Sequence, residues 1–166
     1  RNDNPVAILA QATCFYAAPM SGMTTNAEDQ RKAAELRAAG QSGSGGEASG
    51  LAAIPDAQID EGATQKYVLI AVKQGDSTRH LVRGAASAGF HQEAADPTCR
   101  QLQSMQVPYE ILGGGRIKHD PAGKSISIYG HSYGFPWNGG SKHSVTKEVL
   151  DEVYPGYTVS WSDEGY

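Results

Sequence analysis

The pattern of apolar and polar positions changes character near residue 50. From residue 66, the run KYVLIAVK is β-branched and apolar over most of its length, as in a strand buried on both faces. A turn-like QGDS follows, and TRHLVRGA then predicts a second strand beside the first. Asp96-Pro97 has the form of a helix opening, with Asp96 as cap, Pro97 at the first helical position, and Cys99, Leu102 and Met105 on neighbouring turns beyond. VPYEIL and SISIYG alternate like strands on either side of GGGRIKHDPAGK. TKEVLDEVY presents Val149, Leu150 and Val153 on one helical face, and YTVSWSD predicts a closing strand. The predicted fold is α/β, more narrowly α+β: one compact domain over residues 51–166, a mixed β-sheet of about six strands flanked by two helices.

Residues 1–50 read as a flexible extension. TNAEDQRKAAELRAAG predicts a helix over 26–39, with Asn26 as cap, Glu28 and Asp29 in the first turn and Gly40 as stop. Its apolar face is mostly alanine, so a solvated or marginal helix is expected rather than a part of the core. GQSGSGGEASG, residues 40–50, has the composition of a flexible linker. The opening NPVAILAQATCFYAAP has too short an apolar run to span a bilayer.

Composition narrows the class. At 166 residues, 39% hydrophobic, the chain supports one ordinary domain with a real core. A formal net charge of −4, with neither part basic, argues against nucleic acid or an anionic membrane as partner. Cys14 and Cys99 stand far apart without metal spacing, and the histidines lack H-E-x-x-H, so no metal or other cofactor is expected. Two isolated cysteines suit a reducing compartment, and cytoplasmic residence is the expectation, with an organelle as the alternative should residues 1–23 be a targeting remnant.

Two glycine-rich segments carry the candidate chemistry. Gly130-His131-Ser132-Tyr133-Gly134 fits G-x-S-x-G, the nucleophile elbow of serine hydrolases. The elbow needs a helix directly after it, whereas Phe135, Pro136, Asn138, Gly139 and Gly140 oppose one, and the only downstream histidine, His143, precedes both Asp151 and Asp163. The same turn can instead aim backbone N–H groups at one point and hold an anion. LGGGRIKH, with Arg116 beside three glycines, permits the same use but lacks the spacing of a P-loop; on its own a glycine run is more often a tight turn or bulge.

Five ordered blocks then converge. IPDAQIDEGATQKYVLI, LVRG with a histidine eight residues after its arginine, LGGGRIKH, IYGHSYG and YPGYTVSWSDEGY together resemble the small protein phosphohistidine phosphatases, the family that includes the Janus proteins, over about residues 51–166. The resemblance implies metal-independent hydrolysis of phosphohistidine in proteins or peptides, with inorganic phosphate as product, and His91 as general base or nucleophile. It further implies Lys66, Arg116, Ser132 and Gly134 as phosphate holders, with Arg83 a weaker candidate and His143 and Tyr133 as secondary site residues. Ser132 would then bind rather than attack. A monomer is expected. The chain departs from the family at Phe90, where a tyrosine is common, at Gly134, where alanine is usual, and through FPWNGGSKHSV, where Trp137 reads as packing or as a substrate rim. Two alternatives stand beside this reading: a catalytically silent phosphate-binding or interaction module on the same fold, and a hydrolase using Ser132.

Overall fold

The computed structural model describes residues 26–42 and 50–165. Residues 1–25 and 43–49, with Cys14 and most of the glycine-serine stretch, lie outside the described residues. The elements in chain order are α1 (Ala27–Gly40), a 3-10 turn (Leu51–Ala53), β1 (Ala57–Gln58), β2 (Thr64–Gln74), β3 (Ser77–Ala85), α2 (His91–Ser104), β4 (Tyr109–Asp120), β5 (Ser125–Tyr129), α3 (His143–Val153) and β6 (Thr158–Trp161).

The strands form one mixed sheet in the order β1-β3-β2-β4-β5-β6, parallel at its two edge pairings and antiparallel between. A two-residue turn at Gly75-Asp76 joins β2 to β3. Residues 67–72 are buried throughout, because α1 and α2 cover one face of the sheet and α3 the other. Val68, Ile70, Val72 and Leu81 meet Ala95, Cys99 and Leu102 on the α2 side, while Leu69, Val82, Ile117, Ile126 and Ile128 meet Leu150 on the α3 side.

Three elements differ from their expected form. Helix α2 begins at His91, so Pro97 lies inside it. The start is set by Glu93, whose carboxylate accepts the N–H groups of Gly89 at 2.6 Å and Phe90 at 3.3 Å, while Asp96 pairs with Arg100 at 2.8 Å instead of capping. Strand β4 runs through the glycines rather than stopping before them, with a register shift opposite Leu69 and Ile70 that leaves Leu112 as a bulged extra residue. The bulge reverses the alternation: Tyr109 and Ile111 face α2, but so do Gly114 and Arg116, and Ile117 faces α3. Val153, expected on the buried face of α3, is 37% exposed, and His143 and Thr146 are buried with Leu150 instead.

Helix α1 forms as the sequence predicts, with Asn26 Oδ1 accepting from the Asp29 N–H at 2.9 Å. It is not a solvated helix. Ala33 is 1% exposed within the α2-side core, and Gly40 presses on Tyr109, where a Cβ would stand 2.4 Å from the Tyr109 carbonyl oxygen. Small side chains here permit a close approach, so the alanine face packs without needing large apolar groups.

No helix among the described residues is long and apolar enough to cross a membrane.

Candidate phosphoryl-transfer site

Lys66 on β2 and Arg116 on β4 are direct register partners, and directly opposed residues share a face. That face is the one covered by α2, whose first residue is His91. The positive charges of Lys66 and Arg116 therefore converge beside the helix N-terminus, which itself favours anions.

His91 is half-buried against β4. Its Nε2 lies 3.0 Å from the Gly115 carbonyl oxygen. A carbonyl only accepts, so Nε2 carries the proton and Nδ1 holds the lone pair. The Cδ2–Nε2 edge is the one turned to the strand, which leaves Nδ1 on the opposite edge. Burial, with the charges of Lys66, Arg116 and His131 adding to it and the Gly115 bond opposing, lowers the pKa of His91 from its ordinary 6.5 to about 4. The imidazole is neutral at physiological pH and available as a base.

Gly114 makes this placement possible. A Cβ there would stand 2.6 Å from the Tyr67 carbonyl oxygen, 3.1 Å from His91 Cδ2 and 3.2 Å from Ser132 Cβ. His91 and Ser132 thus flank the space that a side chain at 114 would fill. Its neighbours serve other close approaches: the Trp137 ring lies over Gly113, and His143 Cε1 would be 3.1 Å from a Cβ on Gly115.

The Gly130–Gly134 turn forms the far wall. Gly130 has φ of +71°, a backbone that glycine adopts without strain. Ser132 is 1% exposed, and its Oγ accepts the Phe135 N–H at 3.1 Å. That bond leaves its hydroxyl proton to donate elsewhere. The turn is held from behind by His143, which donates from Nε2 to the Gly130 carbonyl at 2.9 Å and accepts the Tyr67 hydroxyl at Nδ1, 2.7 Å away. It is held in front by Arg37 of α1, which donates to the Gly134 carbonyl and lies over the Phe135 ring at 5.2 Å. The helix an elbow requires is absent here: α3 begins only at His143.

The known proteins that resemble this chain can now be set beside the geometry. The profile of the Janus/Ocnus family (Ocnus) matches residues 51–158. The 14 kDa phosphohistidine phosphatase of Sus scrofa is 37% identical over 126 residues, 72% of this chain and 98% of the relative. The chain belongs to the Janus/Ocnus family. The human 14 kDa phosphohistidine phosphatase is 35% identical over 123 residues, 70% of this chain and 96% of that protein. The sex-regulated protein janus-A of Drosophila melanogaster is 37% identical over 117 residues, 70% of this chain and 84% of the relative.

Within this Janus/Ocnus chain, Lys66, His91, Arg116, Ser132 and Gly134 gather at one end of the α2-side face. Arg83 and His143 stand apart from them. Arg83 is 2% exposed, neither a surface charge nor turned to the site: its guanidinium donates to Thr98 Oγ1 at 2.7 Å and to the carbonyls of Pro55, Asp56 and Val82, and burial lowers its pKa to about 10. Together with Arg79, which pairs with Asp56 at 2.5 Å, it fastens residues 51–56 to β3. His143 is fully buried behind the turn and orients it. Tyr133 is 38% exposed and meets the His131 ring edge-on at 5.0 Å. Trp137 packs on Gly113 and edge-on to His143 at 5.2 Å, which makes it a packing residue of the turn.

Sequence reasoning passed over Gly114, His131 and Arg37. The glycine run was readable as a backbone nest but not as a place for another side chain to enter. His131 stood in plain view inside G-H-S-Y-G, as the unassigned letter. Arg37 carried no signal at all, because its partner is a main-chain carbonyl 97 residues away.

Proposed function

We propose that this chain hydrolyses the P–N bond of phosphohistidine in proteins or peptides, without a metal, using His91 Nδ1 as general base. The observation that carries the reading is the hydrogen bond from His91 Nε2 to the Gly115 carbonyl, which fixes the tautomer and leaves a neutral nitrogen among cationic side chains. The relatives named phosphohistidine phosphatase supply the substrate class.

Phosphoryl transfer depends chiefly on holding the phosphoryl oxygens and stabilising their charge. Lys66 and Arg116 meet that charge, Arg116 through a planar fork suited to two oxygens. The Ser132 hydroxyl and the N–H of Gly134 complete the cradle. A water takes its place between Nδ1 and phosphorus, its oxygen forms the new P–O bond, its proton passes to His91, and the P–N bond breaks as the departing imidazole nitrogen takes a proton from a solvent water, whose hydroxide the protonated His91 then neutralises. The phosphoryl dianion, once bound, raises the pKa of His91 from its depressed value and so strengthens the base during the step. Lys66, His91, Arg116 and Ser132 all come from one chain, so a monomer suffices, and we expect it to act in the cytoplasm.

The test is phosphate release from a phosphohistidine peptide with chelator present, for the intact protein and for His91→Ala of confirmed fold. We expect activity to survive the chelator and to fall about 100-fold to 10,000-fold in the variant. Full activity in His91→Ala sinks the assignment. An intact protein that binds the peptide without hydrolysing it returns the reading to a silent binding module, and a phosphorylated His91 trapped during turnover makes it the nucleophile instead.

A further inference from the structure

Helix α1 lies outside residues 51–158, and the Sus scrofa relative matches this chain over 98% of its own length while covering 72% of this one. The helix is thus an addition of this chain to the shared domain. It touches the site at two points. Near its N-terminus, Asp29 Oδ1 accepts from Gln92 Nε2 at 2.9 Å, and Gln92 directly follows His91 in the first turn of α2. Near its C-terminus, Arg37 donates to the carbonyl of Gly134, and Ala33 Cβ stands 3.4 Å from where a Cβ on Gly134 would be. Between these, the Tyr109 hydroxyl donates to the Leu36 carbonyl at 2.8 Å and fixes the helix to β4.

Arg37 has a defined target. The peptide unit joining Gly134 to Phe135 is held at its oxygen by the guanidinium and at its N–H by Ser132 Oγ. Both residues proposed to hold phosphate from this turn are therefore tied to one peptide plane. His143 fixes the other end of the turn at Gly130. Without Arg37, the Gly134–Phe135 peptide unit loses the bond at its oxygen and keeps the Ser132 bond at its N–H, which employs the very hydroxyl that the phosphate needs.

We propose that Arg37 is a positioning residue for the phosphoryl site, and that α1 is a brace setting the Gly130–Gly134 turn relative to His91. This rests on the phosphatase reading for the identity of the ligand. Donors already aimed need no reorganisation when the phosphoryl group arrives, so the brace acts on phosphate affinity more than on the base.

The experiment compares full-length Arg37→Ala, Arg37→Lys and Arg37→Gln with Arg31→Ala, whose side chain lies exposed on the same helix and, among the described residues, pairs with Glu35. Binding of inorganic phosphate is measured by calorimetry, and KM and kcat on a phosphohistidine peptide in parallel. We expect Arg37→Ala to weaken phosphate binding and raise KM about tenfold, with kcat changed less, a loss in the range of one charged hydrogen bond. Lysine restores part of it, and Arg31→Ala changes neither. Arg37→Gln keeps an N–H donor and much of the stem, and is read by the same constants should the alanine variant fail to fold. Unchanged phosphate affinity and KM in a folded Arg37 variant overturn the proposal. Calorimetry does not require turnover, so a protein that binds phosphate through Arg37 but hydrolyses nothing upholds the brace and defeats the phosphatase reading alone.

Discussion

The two glycine segments that meet at the site, Gly113–Gly115 in β4 and Gly130–Gly134 in the turn, use the same residue for opposite purposes. In the strand, the missing side chain is what counts: Gly114 leaves room for His91 to lie on the sheet and for Ser132 to approach from the far wall. In the turn, backbone conformation counts at Gly130, whereas Gly134 has ordinary space around it, with Ala33 Cβ 3.4 Å and Ser132 Oγ 3.9 Å from a Cβ placed there. The strand glycine is the stricter of the two. That reverses the usual expectation, in which turns need glycine and strands merely tolerate it.

The comparison breaks most visibly at Gly114→Ala. The added methyl meets a main-chain oxygen of β2 and the His91 ring together, so it cannot be absorbed by one side-chain rotation. We expect hydrolysis to fall about 100-fold through displacement of the base, with a stability loss of about 1 to 3 kcal/mol read by denaturant unfolding. Wild-type rate in this variant would mean that His91 has no need of its seat on the strand.

A titration sharpens the same point. The folded pKa of His91 is depressed to about 4, below the roughly 6.5 of the unfolded chain, so its contribution to stability is full above about 6.5 and lost as pH falls toward 4, where the unfolded state takes up the proton first. Proton NMR of the His91 ring should therefore stay flat from about pH 8 to about pH 5.5, where an ordinary imidazole would already be roughly nine-tenths protonated. In Gly114→Ala the ring is pushed toward water and should titrate closer to the ordinary value. A normal titration in the intact protein would remove burial as the source of the neutral base.

The smallest effect belongs to the turn. Gly134→Ala meets only ordinary contacts, so phosphate affinity measured by calorimetry should change by less than about threefold, and the melting temperature should hold or rise slightly because the unfolded chain loses freedom. A large loss there would restore backbone freedom as the reason for glycine at 134.

These contrasts mark where the sequence could be read and where it could not. Strands β2 and β3 were legible because KYVLIAVK and TRHLVRGA carry their pattern locally, and β5 and β6 likewise. The start of α2 was misplaced because Asp96-Pro97 is a strong local signal, while the cap that governs, Glu93 on Gly89 and Phe90, lies in a segment without apolar rhythm. The clustering of Lys66, His91, Arg116 and Ser132 followed from the family resemblance rather than from periodicity, since they come from two strands, a helix end and a turn. The docking of α1 was hidden because alanine reads as weak packing until a partner surface close enough to use it is known.

One residue in β4 has a reach out of proportion to its size. Because the bulge at Leu112 exchanges the two faces of the strand, the pairing of this run counts as much as its composition. Were the pairing to run regularly through Leu112 with no residue removed, Arg116 would move opposite Gln65 on the α3 side and Ile117 would come round opposite Thr64 to the α2 side. The chain would keep its sheet and lose its chemistry. In this fold the irregular pairing is a phase setting.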